Sequence, residues 1–219
     1  MMFNKILQYL KRFWRFIWYE DSIASWIVSV ILAFVIVKFI VYPLLGVLLG
    51  TGYPVVAVVS GSMEHKAVFS NGKYEICGDK FSAKPEMDFD SYWATCGSFY
   101  QAINISKGEF GQFRFKNGFN TGDVMAILGI KPKDIKIGDV IVFKSNIRKE
   151  PIIHRVVEIK KAGDKAQFVT KGDHNSNSGP DDKNIEENRV LGKAVFRLPL
   201  VGYVKIMFTR LLALVGIGG

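Results

Sequence analysis

Apolar positions crowd into one early block of the chain. Between Ser22 and Thr51 the single charged residue is Lys38. A membrane-spanning helix needs about 20 apolar residues, and the stretch from Ser22 to Val41 supplies them. Lys38, near the far end, can extend its stem toward the headgroups. Pro43 is expected to end or kink the helix. A cleaved secretory signal is the competing reading. The run is far longer than the roughly 7–15 residues of such a segment's apolar core, and no small-x-small cleavage site follows it. The pattern predicts a retained anchor over residues 22–48.

The flanks set an orientation. Lys5, Lys11, Arg12 and Arg15 precede the anchor, which places residues 1–21 in the cytoplasm under the positive-inside rule. Opposite those cations, Phe3, Ile6, Leu7, Leu10, Phe13, Trp14, Ile17 and Trp18 recur at helical spacing, as in an amphipathic helix lying on the inner membrane surface. The chain after residue 50 is then extracytoplasmic. A second apolar stretch, 196–219, carries Arg197, Lys205 and Arg210. Its uncharged runs are too short to identify a second span; it reads as membrane-associated, either an in-plane amphipathic helix or a short hydrophobic belt against the bilayer, with a crossing left open.

Between these segments the pattern is that of β structure. Short runs rich in β-branched residues occur at 55–59, 123–128, 140–144, 152–159, 166–170 and 190–197. Turn signals such as Thr121-Gly122-Asp123 and Gly138-Asp139 bound them. A mainly β domain over 51–200 follows, an antiparallel sheet or partial barrel. Residues 64–120 depart from the pattern, being polar and rich in Gly and aromatics, with seven acidic and seven basic residues. They read as an insertion with no assigned element.

Composition adds exclusions. Of 219 residues 49% are hydrophobic and 22% charged, too apolar for a disordered chain. The net charge of +9 fits an anionic membrane surface, and no basic-aromatic module calls for nucleic acid. Both cysteines, Cys77 and Cys96, fall in the insertion. In an extracytoplasmic domain a disulfide is expected, stabilising by about 3 kcal/mol on the loop-entropy model; two buried free thiols remain the alternative. Neither the cysteines nor His65, His154 and His174 show metal-ligand spacing, so no metal or cofactor is expected. Asn104-Ile105-Ser106 is a glycosylation sequon, usable in a glycosylating compartment.

Three elements carry candidate chemistry. Ser62 follows a hydrophobic strand in Val-Val-Ser-Gly-Ser-Met, where a sharp turn at Gly exposes a hydroxyl and free backbone N–H groups, the parts a serine nucleophile and its oxyanion hole require. Ser-Gly-Ser is also common in plain turns. His154 sits in the apolar run Ile-Ile-His-Arg-Val-Val and offers a general base, though a lone strand histidine is more often structural. Thr170-Lys171-Gly172-Asp173 leaves a strand for a polar loop that also holds Asp181 and Asp182, and Gly-Asp favours turns whatever the function.

Together these residues resemble signal peptidase I, in the branch found in archaea and the endoplasmic reticulum. The anchor, Ser-Gly-Ser-Met, Ile-Lys-Ile-Gly-Asp-Val-Ile-Val-Phe (135–143), Ile-His-Arg-Val (153–156), Thr-Lys-Gly-Asp (170–173) and Leu-Gly-Lys with Leu-Pro-Leu-Val-Gly-Tyr (191–203) occur in the family's order, covering roughly 22–63 and 119–210. The resemblance implies a signal-peptidase-like β domain on a transmembrane helix. It implies a membrane-anchored serine endopeptidase that removes signal peptides from exported preproteins. Its partners would be signal peptides, the lipid bilayer and the protein translocation machinery. Carried over by position, Ser62 is the nucleophile and His154 stands where the bacterial branch has a lysine. Asp173, Asp181 or Asp182 is the orienting acid, and Ser60, with the Ser62 N–H, serves the oxyanion hole.

The chain departs from the family pattern at His65, where Pro is usual, and at His174 after Gly-Asp. The spacer from Asp173 to the next acid is about two residues longer than the family's. Two other readings stand beside the peptidase. One is a catalytically silent, membrane-tethered binding protein of the same fold. The other is a regulatory protease, which would need a self-cleavage segment that is not evident.

Overall fold

The computed structural model describes residues 2–163 and 165–200, and the chain divides into two compact units between Leu48 and Leu49. In the first unit, helix α1 (Met2–Tyr19) presents its cations and aromatics on opposite faces. Ser22 caps the next helix, its hydroxyl accepting from the Ser25 N–H at 3.1 Å. That helix runs as α2 (Ile23–Ile36), a wide π turn (Val37–Val41) and α3 (Tyr42–Leu49). It is 27 residues long, enough by length and composition to cross a membrane, and spans about 40 Å. Pro43 therefore does not end it. The wide turn lies immediately before the proline, where a ring without an N–H would otherwise meet the preceding carbonyls.

The second unit is mainly β. Seven antiparallel strands form one sheet: β1 (Val55–Ala57), β5 (Val124–Leu128), β6 (Val140–Phe143), β7 (Ile152–Ala162), β8 (Lys165–Lys171), β9 (Ile185–Glu186) and β10 (Val190–Leu198). Their spatial order is β1-β5-β10-β6-β7-β8-β9. All four residues of β6, a Val-Ile-Val-Phe run, are buried, as expected of a central strand covered on both faces. Among the described residues β1 lies at the sheet edge, paired with β5 alone. The C-terminal segment expected over 196–219 is described as far as Leu200, and the rest of it lies outside the described residues.

The insertion has structure of its own. A three-stranded meander, β2 (Val68–Ser70), β3 (Lys73–Ile76) and β4 (Asp79–Phe81), turns at Asn71-Gly72, both at positive φ. Two helices follow. Asp88 caps α4 (Phe89–Ala102) and Ser106 with Glu109 forms a capping box on α5 (Lys107–Gln112). Cys77 and Cys96 are bonded, stapling the turn between β3 and β4 to α4. A separate core gathers Ile76, Tyr92, Trp93, Tyr100 and Phe110 against Val157 and Val169 of β7 and β8.

Phe110 is fully buried, its ring against those of Phe89, Tyr92, Trp93, Tyr100 and Phe113. Phe110→Ala is expected to destabilise the second unit by about 3–5 kcal/mol, read as a lowered thermal midpoint in detergent. An unshifted midpoint would show that the insertion's core bears no load.

Candidate active site

Strand β7 positions His154. Successive residues of a strand face opposite sides, so His154 and Arg155 turn to different surroundings. His154 sits opposite Ile141 of β6 and is 7% exposed. Its Nε2 lies 2.9 Å from the Ser62 Oγ and its Nδ1 lies 2.6 Å from the Asp182 Oδ1. The structure thus brings together Ser62, His154 and Asp182, from three separate stretches of chain.

Each partner is fixed locally. Ser62 lies in a turn closed by the Glu64 N–H donating to the Gly61 carbonyl at 3.0 Å, and the buried Glu64 carboxylate accepts from the Thr121 N–H at 2.8 Å. The Ser60 Oγ is 3.2 Å from the Ser62 Oγ. Asp182 ends a short turn begun by Pro180, and takes further hydrogen bonds from the Thr170 hydroxyl (2.5 Å) and the Gly179 N–H (2.9 Å). Burial pushes its carboxyl up, but the hydrogen bonds and charge facing it hold the group below the ordinary carboxylate range. An ionised Asp182 can only accept, so His154 Nδ1 carries the proton and Nε2 presents its lone pair to Ser62.

The other two acids go elsewhere. Asp181, one residue away, accepts from the Ser145 hydroxyl (2.6 Å) and the Asn146 N–H (3.0 Å), fastening the loop after β6. Asp173 is fully buried and paired with Arg155, whose Nε and Nη2 donate to its two oxygens at 2.9 and 2.6 Å. The Tyr100 hydroxyl (3.0 Å) and His65 Nε2 (2.9 Å) complete its shell. Burial would raise this carboxyl, yet the Arg155 charge and the His65 and Arg155 hydrogen bonds hold it far below its usual range. His174 faces the Glu64 carbonyl at 3.2 Å.

Gly172 is a packing necessity. A Cβ there would fall 2.8 Å from His154 Nε2 and 2.7 Å from the Ser62 carbonyl oxygen. Beside it Lys171 is fully buried, and burial lowers its ammonium to about 8. Arg155, Thr170 and Lys171 lie within the motifs read from the sequence, but none of them received a role there. An arginine inside an apolar strand was itself the signal, because a buried guanidinium demands an acid.

The site opens into a cleft of about 500 Å³. Val56, Ala57, Val59 and Ser60 line it beside Ser62, and Ile147, Arg148 and residues 150–153 line it beside His154.

These assignments separate by stability. Asp173→Asn leaves a buried guanidinium underpaired and is expected to cost about 3–5 kcal/mol. Asp182→Asn should cost no more than about 1–2 kcal/mol. The Asp173 contribution is complete above the unfolded carboxylate value of about 4 and is lost as pH falls below it, because the folded value is the depressed one. Thermal unfolding at pH 7 checks the pair, and equal midpoints for the two variants would refute the division.

No protein-family model matches the chain. Among known proteins it is 31% identical over 98 residues to a signal peptidase complex catalytic subunit of Pyricularia oryzae, covering 42% of this chain and 57% of that one. It is 35% identical over 99 residues to a catalytic subunit of the same complex from Homo sapiens, covering 41% of this chain and 50% of that one. The matches thus span little more than half the length of these curated relatives. Over about two-fifths of its length, the chain is similar to catalytic subunits of signal peptidase complexes.

Proposed function

We propose that this protein is a membrane-anchored serine endopeptidase that cuts signal peptides from preproteins, with Ser62 as nucleophile, His154 as general base and Asp182 as the orienting acid. The observation that carries this reading is the hydrogen-bonded series Asp182–His154–Ser62, 2.6 and 2.9 Å, on the floor of an open cleft.

The chemistry follows from that order. His154 Nε2 accepts the Ser62 proton as Oγ attacks the scissile carbonyl. Asp182 stabilises the imidazolium, which then returns the proton to the departing amine. The Ser60 hydroxyl and Ser62 N–H receive the oxyanion. Water repeats the sequence on the acyl-enzyme. β1 is an edge strand beside the cleft, so an extended peptide gains backbone hydrogen bonds by strand addition without demands on its sequence. Side chains at the cleavage site are selected by size.

The basic segment 1–21 keeps the N-terminus in the cytoplasm, and the 27-residue apolar helix holds the peptidase domain on the extracytoplasmic face of the endoplasmic reticulum or cell membrane. The Cys77–Cys96 bond suits that oxidising side. The relatives' names point to partners in a complex, and the translocation machinery would deliver the substrate.

The test is cleavage of a reporter preprotein by the full chain in lipid nanodiscs. Ser62→Ala, His154→Ala and Asp182→Asn are each expected to lower kcat by roughly 10³-fold or more. Gly172→Ala, which displaces the base by a fraction of an ångström, is expected to lose about 100-fold. Wild-type protein as inactive as Ser62→Ala across several preproteins and pH values would favour a silent binding protein. Full activity in His154→Ala would refute the base assignment.

A further inference from the structure

The 64–120 insertion converges on the segment beside the active site, and most densely on Asp173. Helix α4 places Tyr92, Cys96 and Tyr100 four residues apart, hence on one face, and all three are buried. The Tyr92 hydroxyl donates to the Asp173 carbonyl at 2.9 Å and the Tyr100 hydroxyl to its carboxylate at 3.0 Å. Between them Cys96 is bonded to Cys77, whose own N–H donates to the His174 carbonyl at 2.9 Å. His65 lies flat on Tyr92, ring centroids 3.5 Å apart, and meets the second carboxylate oxygen.

The neighbours of Asp173 are the backbone on which the reacting groups rest. The His174 N–H donates to the Ser62 carbonyl at 2.9 Å, and Gly172 lies too close to His154 Nε2 for any side chain. Lys171 Nζ reaches the Gly172 and Asp173 carbonyls at 3.2 and 3.3 Å, under the rings of Phe99 and Tyr100 of α4.

We propose that the insertion is a clamp that positions the active-site backbone, in which His65, Tyr92 and Tyr100 hold Asp173 and the Cys77–Cys96 disulfide keeps α4 seated on the 172–174 segment. The inference rests on the peptidase reading for its catalytic consequence. These are positioning residues, acting through Gly172 and His174 on Ser62 and His154. A scaffold role alone would give a different response: the unit would loosen everywhere instead of at one loop.

Hydrogen exchange and steady-state kinetics on the full chain in nanodiscs test this together. Tyr100→Phe and His65→Leu are expected to speed amide exchange at 172–176 roughly tenfold, the scale of one lost hydrogen bond to a charged group, while β6 (140–143) exchanges at the wild-type rate. In the same variants kcat for a preprotein falls by a similar factor with KM within about twofold. His65→Gln, which keeps a donor toward Asp173, stays near wild type. Reducing the native disulfide reproduces the local response, as does the Cys77→Ser, Cys96→Ser double variant. Unchanged exchange at 172–176 in Tyr100→Phe and His65→Leu would overturn the clamp, and so would an increase shared equally by β6. If the wild-type chain cleaves no preprotein while the variants still show the local exchange response, the peptidase reading falls and the clamp stands.

Discussion

A guanidinium with no contact to water must spend every one of its five N–H donors within the protein, and Arg155 does so. Its Nε and Nη2 take the two Asp173 oxygens, and the remaining donors reach the carbonyls of Phe115, Arg114 and Gly138. Removing a charge of this kind from water is costly, and only complete pairing offsets it. The requirement draws four stretches of chain to one point: the middle of β7, the exit of β8, the end of the insertion and the turn before β6. The rings of Phe110 and Phe113 close over the cation at 5.0 and 5.9 Å.

His154 is the adjacent residue of the same strand. Because β7 alternates, Arg155 and His154 share a backbone but not an environment. Rigid anchoring of one fixes the other without crowding it. The same economy recurs at Asp181 and Asp182, consecutive acids that serve the cleft wall and the imidazole respectively. Charges that look interchangeable in the chain are separated by where the backbone turns between them.

Much of this was legible in the residues themselves. The runs of Val and Ile gave six strands of the large sheet to within three residues, because β6 and its neighbours obey a simple pattern of burial, while the two-residue β9 fell in no such run. Ser62 and His154 stood out as reactive types in an otherwise apolar setting. The choice among Asp173, Asp181 and Asp182 was not legible, because it depends on the turn started by Pro180 and on donors such as Thr170 that come from distant positions. The insertion was opaque for a related reason. Its strands are three or four residues long, and α4 turns Tyr, Trp and Cys toward a core made by other elements. Pro43 misled because a wide turn accommodates it within a continuing helix.

The loop between Asp173 and Asp182 is pinned at both ends and slack in the middle. Before the slack, Asn175 closes a turn onto the Gly172 carbonyl at 2.9 Å; after it, Ser178 is tied to the Thr170 carbonyl at 2.7 Å and Gly179 to Asp182. Ser176 and Asn177 are exposed between these ties. Spacing along the chain therefore does not set the distance from Asp182 to His154; the local bonds of the turn do. Ser176 and Asn177 lie outside these ties, so the interval between the two aspartates is a poor guide to which of them meets the histidine.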